Sequence, residues 1–163
     1  MRLRPRYTLH RRQWVPRPLE ETFAFFARPQ NLSRITPPWL GFRILSPEPL
    51  VMAAGLRIDY RVRLLGVPVR WQSVISEYEP PRSFRDVQTI GPYRHWDHLH
   101  QFRSEHDGTL IEDLVTYEPP FGVLGVLLNG LVIRRQLAAI FDYRAGRIEA
   151  FSQEPGAVRS SLG

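Results

Sequence analysis

The sequence predicts an α+β fold in which a seven-stranded antiparallel sheet curves around a long C-terminal helix. The first observation is that apolar residues alternate with polar ones through the middle of the chain, from about residue 42 to 117. The second is that the apolar period is close to 3.6 on both sides of this region. The third is that Gly, Pro or Asp-Gly separates the alternating runs, as consecutive antiparallel hairpins require.

The N-terminal elements are a strand and two short helices. Alternation over 6–16 predicts the first strand, which ends at a proline. Residues 18–29 form the first predicted helix, because Pro18 suits a first turn and the acidic residues behind it favour the positive end of the helix dipole. Residues 31–39 form the second predicted helix, which is stopped by two consecutive prolines.

Six strands and a long helix complete the predicted order. The strands have a period of two and read FRILSP, GLRIDYRVRLLG, VPVRWQSVISEYEPP, SFRDVQTIGP, YRHWDHLHQFRSEHDG and TLIEDLVTYEPP. The helix runs over about 124–152 and is expected to bend near Asn129–Gly130, where two poor helix formers meet. A sheet that twists this strongly around a helix can leave a hollow between them.

Length and composition bound the organisation of the chain. Its 163 residues fit a single domain, which we expect over 1–153, followed by a flexible C-terminal tail over 154–163. The absence of cysteine excludes disulfides and thiolate chemistry. The basic N-terminus lacks an apolar segment behind it, and the most apolar stretch, 121–133, is too short to span a bilayer. We therefore expect a cytoplasmic protein, monomeric or homodimeric, with no cofactor and no metal.

The formal net charge is +6, and all 22 basic residues are arginine. The arginines are dispersed, and in runs such as RIDYRVRLL alternation places them on the solvent face of a strand. A nucleic-acid-binding protein concentrates its charge and offers stacking aromatics or a recognition helix. We therefore expect no specific nucleic-acid partner. Weak contact with an anionic membrane surface fits the composition better.

Alternation also assigns side chains to the two faces of the sheet. One face of the sixth strand carries Trp96, His98, His100 and Phe102. If a four-residue loop joins the sixth and seventh strands, His100 lies opposite Asp113, and both face the hollow. The resulting wall is mainly apolar with a few convergent polar groups, which is typical of small-molecule pockets.

The order of elements, with the stretches YEPPRSFRDVQTIGPYRHWDHLHQF and VLGVLLNGLVIRRQLAAIFDYR, resembles the SRPBCC superfamily. This superfamily includes START-type lipid-transfer domains, birch-pollen-allergen-like proteins and bacterial polyketide cyclase/dehydrase-like proteins. The resemblance is to the bacterial ligand-binding branch and covers about residues 7–151. It implies a helix-grip fold, in the order β-αα-β6-α, with an elongated apolar cavity. It does not imply one chemistry, because the same fold hosts cyclases, hydratases, carriers and receptors.

The favoured hypothesis is that the cavity binds a small hydrophobic or amphipathic ligand, such as a lipid, polyketide or isoprenoid-like molecule, as a carrier or sensor. The predicted ligand-binding residues are Tyr60, Trp71, Ser73, Phe84, Asp86, Gln88, Trp96, His98, His100, Phe102, Asp113 and Tyr117. From the position of the opening in the resembled fold, the predicted entrance residues are Trp39, Phe42, Phe121 and Leu124.

Other hypotheses concern His98, His100 and Asp113. A His–Asp pair in an apolar cavity has the parts of a general base, so a cyclase or dehydratase with these three catalytic residues is the alternative function. The same three side chains have the chemistry to bind a metal ion. An inward His-x-His without a further ligand cluster is a weak metal motif, however, so we predict a hydrogen-bonded network. A purely interacting role, such as that of an assembly factor, is the remaining hypothesis.

Overall fold

A computed structural model describes residues 5–155 and confirms the predicted order of elements. Residues 1–4 and 156–163, which include most of the predicted tail, lie outside the described residues. The strands are β1 (Tyr7–Val15), β2 (Arg43–Ile44), β3 (Arg57–Leu64), β4 (Val67–Glu79), β5 (Ser83–Ile90), β6 (His95–Glu105) and β7 (Gly108–Glu118). The helices are α1 (Leu19–Phe26), α2 (Leu32–Ile35), α3 (Gly122–Leu128) and α4 (Arg134–Gln153).

All seven strands form one antiparallel sheet with the order β1-β7-β6-β5-β4-β3-β2. The β2 strand contains only two residues, which is shorter than its alternating sequence run predicts. Prolines 47 and 49 follow it closely, and a proline has no N–H to continue a ladder. Since β2 lies at the edge of the sheet, its early end leaves the other six strands intact.

A two-residue turn fixes the register of β6 against β7. Glu105 pairs with Gly108, and the two residues between them both have left-handed backbone angles, with φ of 48° at His106 and 61° at Asp107. This is the backbone twist that tight hairpins favour. Gly108 is required for a separate reason, because a Cβ there would lie 2.3 Å from the carbonyl oxygen of Val15. The predicted pairing of His100 with Asp113 is confirmed.

The C-terminal helix (Gly122–Gln153) joins α3 to α4 through a π-helical turn, Asn129–Ile133. This irregularity lies where the sequence predicts a bend, and the buried Asn129 accepts a hydrogen bond of 2.9 Å from the Tyr117 hydroxyl. By length and composition alone the helix is apolar enough to cross a membrane. Its α4 half nevertheless packs into the core through buried side chains such as Phe141 and Ile148.

Two clusters of buried side chains make up the core. One lies where α1 and the end of α4 cover the sheet, and it includes Phe23, Phe26, Phe84, Phe102 and Ile148. The other lies under the first half of α4, and it includes Val62, Trp71, Trp96, Tyr117, Leu137 and Phe141. Members of both clusters also line a cavity between sheet and helices, so the packing is not continuous across the interior.

Candidate functional site

The concave face of the sheet and the helices over it form a cavity of about 190 Å³. The sheet contributes Ile58, Tyr60, Val62, Leu64, Trp71, Ser73, Ile75, Phe84, Asp86, Trp96, His98 and His100. The helices contribute Phe25, Phe26, Leu32, Ile35, Gln136, Leu137, Ile140, Phe141 and Arg144. Most of these side chains are aromatic or aliphatic, so the polar groups among them stand out as the chemically specific part of the wall.

Some predicted ligand-binding residues lie outside this lining. Gln88 bridges the β5–β6 turn, since its amide donates to the carbonyl of Tyr93 (2.7 Å) and accepts from the N–H of the same residue (3.3 Å). Phe102 packs against α1 in the core. Asp113 lies behind the histidines, and Tyr117 is bonded to the π-helical turn. The other predicted ligand-binding residues, from Tyr60 to His100, line the cavity.

The predicted entrance residues lie in two places. Phe42 lines the cavity, where its ring lies 5.2 Å from that of Tyr60. Trp39 is exposed and packs edge-on against Tyr143 of α4, with ring centroids 5.5 Å apart. Phe121 and Leu124 are exposed at the start of the C-terminal helix and do not line the cavity.

Two histidines in ring contact occupy one wall of the cavity between two aspartates. The ring centroids of His98 and His100 are 3.7 Å apart. His98 Nε2 lies 2.8 Å from Asp113 Oδ1, and His100 Nε2 lies 3.0 Å from Asp86 Oδ2. His100 Nδ1 is also 2.9 Å from Asp113 Oδ1, but off line for a hydrogen bond. Because the i, i+2 spacing puts both rings on one face of β6, alternation alone brings them together.

Arg144 extends this network from the opposite side of the cavity. Its guanidinium Nη2 lies 3.9 Å from Asp113 Oδ1, and the group packs over the rings of Phe26 and Phe141 at 5.4 and 5.6 Å. The residue is buried, and its Nε has no hydrogen-bond partner within the described residues. Its position holds a fixed positive charge beside the aspartate.

These contacts shift the pKa values of the two aspartates in the same direction. Burial opposes the ionisation of Asp113, but the charge of Arg144, the close approach of His100 and the hydrogen bond with His98 outweigh it and hold the pKa of that carboxyl well below its usual value. Burial likewise opposes the ionisation of Asp86, and the hydrogen bond from His100 lowers its pKa. Both aspartates are therefore anionic at neutral pH.

The pKa values of the two histidines move apart. Burial and the neighbouring charge of His100 lower the pKa of His98. Burial also acts on His100, but the two carboxylates that flank it raise its pKa. His100 is thus the more basic of the two rings, and His98 Nε2 lies within hydrogen-bond distance of Asp113. The two carboxylates lie beside one fixed positive charge, that of Arg144, and one imidazole whose pKa is raised, that of His100.

A second polar group lies among the aromatic residues of β3 and β4. The Tyr60 hydroxyl is 3.2 Å from Ser73 Oγ, and the indole N–H of Trp71 donates to the same oxygen at 3.1 Å. Burial, together with the charge of Asp86, raises the pKa of Tyr60 well above its usual value, so the phenol stays neutral. These groups satisfy one another and leave the surrounding wall apolar.

The three side chains that could bind a metal ion are not the three that the sequence analysis names. Asp86, His98 and His100 each offer a ligand atom, and these atoms lie within 4.8 Å of one another. The trio replaces Asp113 with Asp86. A divalent ion there would have to compete with a proton for His100, whose pKa is raised, and lie near the fixed charge of Arg144, so a hydrogen-bonded network describes the cluster better.

Arg144 is the charged residue of the histidine–aspartate cluster that the sequence analysis does not identify. The signal is present, because Leu137, Phe141, Arg144 and Ile148 are spaced by four, three and four residues along one face of the helix. An arginine on the apolar stripe of a core helix must find a buried partner. Tyr93, in the β5–β6 turn, also lines the cavity and is absent from the predicted set.

Solved structures share this architecture at low sequence identity. TTHA0849 from Thermus thermophilus is 20% identical, with a TM-score of 0.64, over 90% of this chain and 100% of its own. Major latex-like protein 151 from Panax ginseng is 13% identical, with a TM-score of 0.64, over 91% and 99%. CV1439 from Chromobacterium violaceum is 12% identical, with a TM-score of 0.67, over 90% and 97%. These likenesses show the helix-grip fold.

Comparison of the sequence with known proteins identifies a family but no individual relative. No curated protein is significantly similar in sequence to this chain. The family model described as "Polyketide cyclase / dehydrase and lipid transport" matches residues 15–141, which run from the end of β1 into α4 and contain the whole histidine–aspartate cluster. The chain therefore belongs to the polyketide cyclase/dehydrase and lipid transport family, within the SRPBCC superfamily.

Proposed function

We propose that the protein binds a small apolar or amphipathic molecule in its internal cavity and acts as a carrier or sensor. The observation that carries the proposal is the uneven chemistry of the lining, in which a mainly aromatic and aliphatic wall contains a charged cluster of Asp86, His98, His100 and Arg144. Such a wall removes an apolar body from water and orients it through one polar end. The family description, which includes lipid transport, supports the proposal.

The size of the cavity limits the ligand. The volume of about 190 Å³ is more than ten times the roughly 15 Å³ that one water needs. Apolar cavities of about 150 Å³ accept benzene, so a one-ring or short-chain ligand fits without rearrangement. A longer lipid, polyketide or isoprenoid requires lining side chains to move. The polar end of the ligand is expected to be a hydroxyl or carbonyl, because burying a neutral hydrogen-bonding group costs much less than burying a further charge.

Native mass spectrometry of the purified protein tests this function. A bound molecule should appear as a mass increment that disappears on organic extraction, and the extract should contain an apolar compound. The apo-protein should then bind a fluorescent fatty acid analogue that the extracted compound displaces. An empty protein that binds neither the analogue nor any other apolar probe would contradict the proposal.

Acid–base catalysis on such a ligand is the second candidate function. The observation that favours it is the contact of two imidazole rings, with centroids 3.7 Å apart, whose pKa values are displaced in opposite directions, so that His98 is the weaker base and His100 the stronger. Paired groups with separated pKa values are the usual parts of a general base and a general acid. If the protein is a cyclase or dehydratase, His100→Ala and Asp113→Asn should each abolish turnover of the extracted compound while retaining its affinity. Turnover that survives both substitutions would contradict catalysis by this cluster, and the carrier function would remain as the proposal.

A further inference from the structure

Exposed aliphatic and aromatic side chains collect at one end of the sheet. Leu65 (75% exposed) and Val67 lie in the β3–β4 hairpin, and Ile90 lies at the end of β5. Phe121 (71%) and Val123 (83%) lie at the start of the C-terminal helix. Three separate segments of the chain therefore present large apolar groups to solvent, which single scattered residues on an ordinary surface do not do.

The topology of the sheet brings these segments to the same end. The end of β3 and the start of β4 point in the same direction as the end of β5, because neighbouring strands are antiparallel. The start of β6 and the end of β7, which leads into α3, also lie there, since His95 pairs with Glu118. Below this surface, the partly buried Leu64 and Ile133 pack against the same buried cluster, which connects the hairpin to the helix. We call the exposed set Leu65, Val67, Ile90, Phe121, Val123 and Leu124 the apolar end.

Arginines surround the apolar end with almost no compensating charge. Arg61 and Arg63 are exposed on β3 just before the hairpin, and Arg134 and Arg135 are exposed at the start of α4. Within the described part of the chain, none of these four guanidinium groups forms an ion pair with a carboxylate. Across 61–69, 90–95 and 118–135 the sequence contains a single carboxylate, Glu118, which lies 3.6 Å from Arg94.

We propose that the apolar end docks on the surface of an anionic lipid bilayer. Aliphatic side chains that enter the headgroup region, with arginines around them that meet lipid phosphates, are the combination by which proteins bind membrane surfaces. A second copy of the chain fits poorly, because a symmetric contact would oppose the same uncompensated arginines. Nucleic acid fits poorly as well, because its binding surfaces use stacking aromatics and the apolar end is largely aliphatic.

The docked orientation would place the cavity next to the membrane. Leu64 and Tyr93 line the cavity and lie at the base of the same hairpin and turn that carry Leu65 and Ile90. A membrane-derived ligand would therefore have a short path between bilayer and cavity. Docking itself does not depend on the proposed ligand binding, since it rests on exposed residues and is measured without a ligand.

Co-sedimentation of the full chain with vesicles tests the proposal. Vesicles of phosphatidylglycerol and phosphatidylcholine should bind the protein, and pure phosphatidylcholine vesicles should not. Removing two charges with Arg134→Gln and Arg135→Gln should lower the partition coefficient about 30-fold, as expected for two arginines near an anionic surface. Val123→Ser with Leu124→Ser should lower it about tenfold or more, because the lost contact is apolar. Neither pair alters a buried residue.

Matched controls separate docking from general attraction. Arg57→Gln with Arg82→Gln removes two exposed charges at the other end of the sheet and should change the partition coefficient less than about threefold. Equal loss in this control, or equal binding to pure phosphatidylcholine, would overturn the proposal. So would protein that resists alkaline extraction, which indicates a spanning helix, or a lipid-free dimer that Val123→Ser with Leu124→Ser dissociates. Release of bound protein from the vesicles by high salt would support docking through the arginines, because salt screens their attraction to lipid phosphates.

Discussion

Arg144 on α4 and Asp113 on β7 face each other across the edge of the cavity, with Nη2 and Oδ1 3.9 Å apart. This contact joins the C-terminal helix to the sheet at the level of the two histidines. It also favours the ionised form of Asp113, and beside this carboxylate the pKa values of His98 and His100 are displaced in opposite directions. The helix therefore contributes to the chemistry of the cavity as well as closing it.

Asp113→Asn should destabilise the protein by about 3–5 kcal/mol, because it leaves the positive charge of Arg144 buried beside a neutral group. The free energy of unfolding from urea titration at pH 7 measures this. Asp142→Asn is the matched control, since Asp142 pairs with Arg11 but its side chain is 67% exposed. The control should cost about 0–1 kcal/mol. Equal effects of the two substitutions would show that the Asp113 contact is not a buried ion pair.

The two histidines should have pKa values on opposite sides of 6.5, so their effects on stability should depend on pH in opposite directions. Because the folded pKa of His100 is raised above its usual 6.5, its contribution to stability is complete below pH 6.5 and is lost as pH rises through the folded value. The pKa of His98 is lowered, so the unfolded chain binds that proton more tightly and stability falls as pH drops below 6.5. Imidazole carbon chemical shifts followed by NMR, assigned with His98→Gln and His100→Gln, measure both. A higher apparent pKa for His98 than for His100 would reverse the assignment.

The loss of the aspartate charges should appear at a lower pH. The pKa values of Asp86 and Asp113 lie below the usual 3.8, so their stabilising contribution is present above pH 3.8 and disappears as pH falls through the folded values. Thermal unfolding followed from about pH 5 down to about pH 2 should therefore show a smaller acid dependence for Asp113→Asn than for the natural sequence. An unchanged dependence would mean that the pKa of Asp113 is the same in the folded and the unfolded chain.

Much of the fold follows from local rules in the sequence. The opposition of His100 and Asp113 is predictable, because alternation and the pairing of Ser104 with Thr109 determine the β6–β7 register. The pairing continues to Glu105 and Gly108, so the turn has two residues where the sequence analysis assumes a four-residue loop. The contact of His100 with Asp86 is not predictable. It depends on the β5–β6 turn and on a β4–β5 ladder that contains two register shifts, and alternation does not predict where such irregularities fall.

A side chain on the inner face of a strand does not necessarily line the cavity. Phe102 lies on the same face of β6 as His98 and His100, yet α1 covers that level of the sheet, so Phe102 packs against Phe23 and Phe26. The periodicity of a strand carries no information about which element covers each level. The same reason applies to Arg144, whose role depends on how the helix is rotated and placed against β7.

Ile140→Trp should weaken ligand binding with little loss of stability. Ile140 lines the cavity from α4 but is only partly buried, so a larger side chain occupies ligand space before it strains the core. Displacement of a fluorescent fatty acid analogue should show at least about a tenfold loss of affinity, equivalent to roughly 1.4 kcal/mol. Ala139→Trp, on the exposed face of the same helix, is the control and should leave the affinity unchanged. Unchanged affinity in Ile140→Trp would place the ligand outside this cavity.

The π-helical turn should depend on the hydrogen bond between Tyr117 and Asn129. Asn129→Ala leaves a buried hydroxyl without its acceptor and should cost about 1–3 kcal/mol. Tyr117→Phe removes the donor and leaves the amide oxygen unpaired, so it should cost a similar amount. When both substitutions are combined, neither group is left unpaired, and the double variant should be less destabilised than the sum of the single variants, with a coupling of about 1 kcal/mol. Urea unfolding of the four proteins measures the cycle. Additive costs would mean that the turn is held by backbone packing alone, and that Asn129 is buried there for its size and not for its amide.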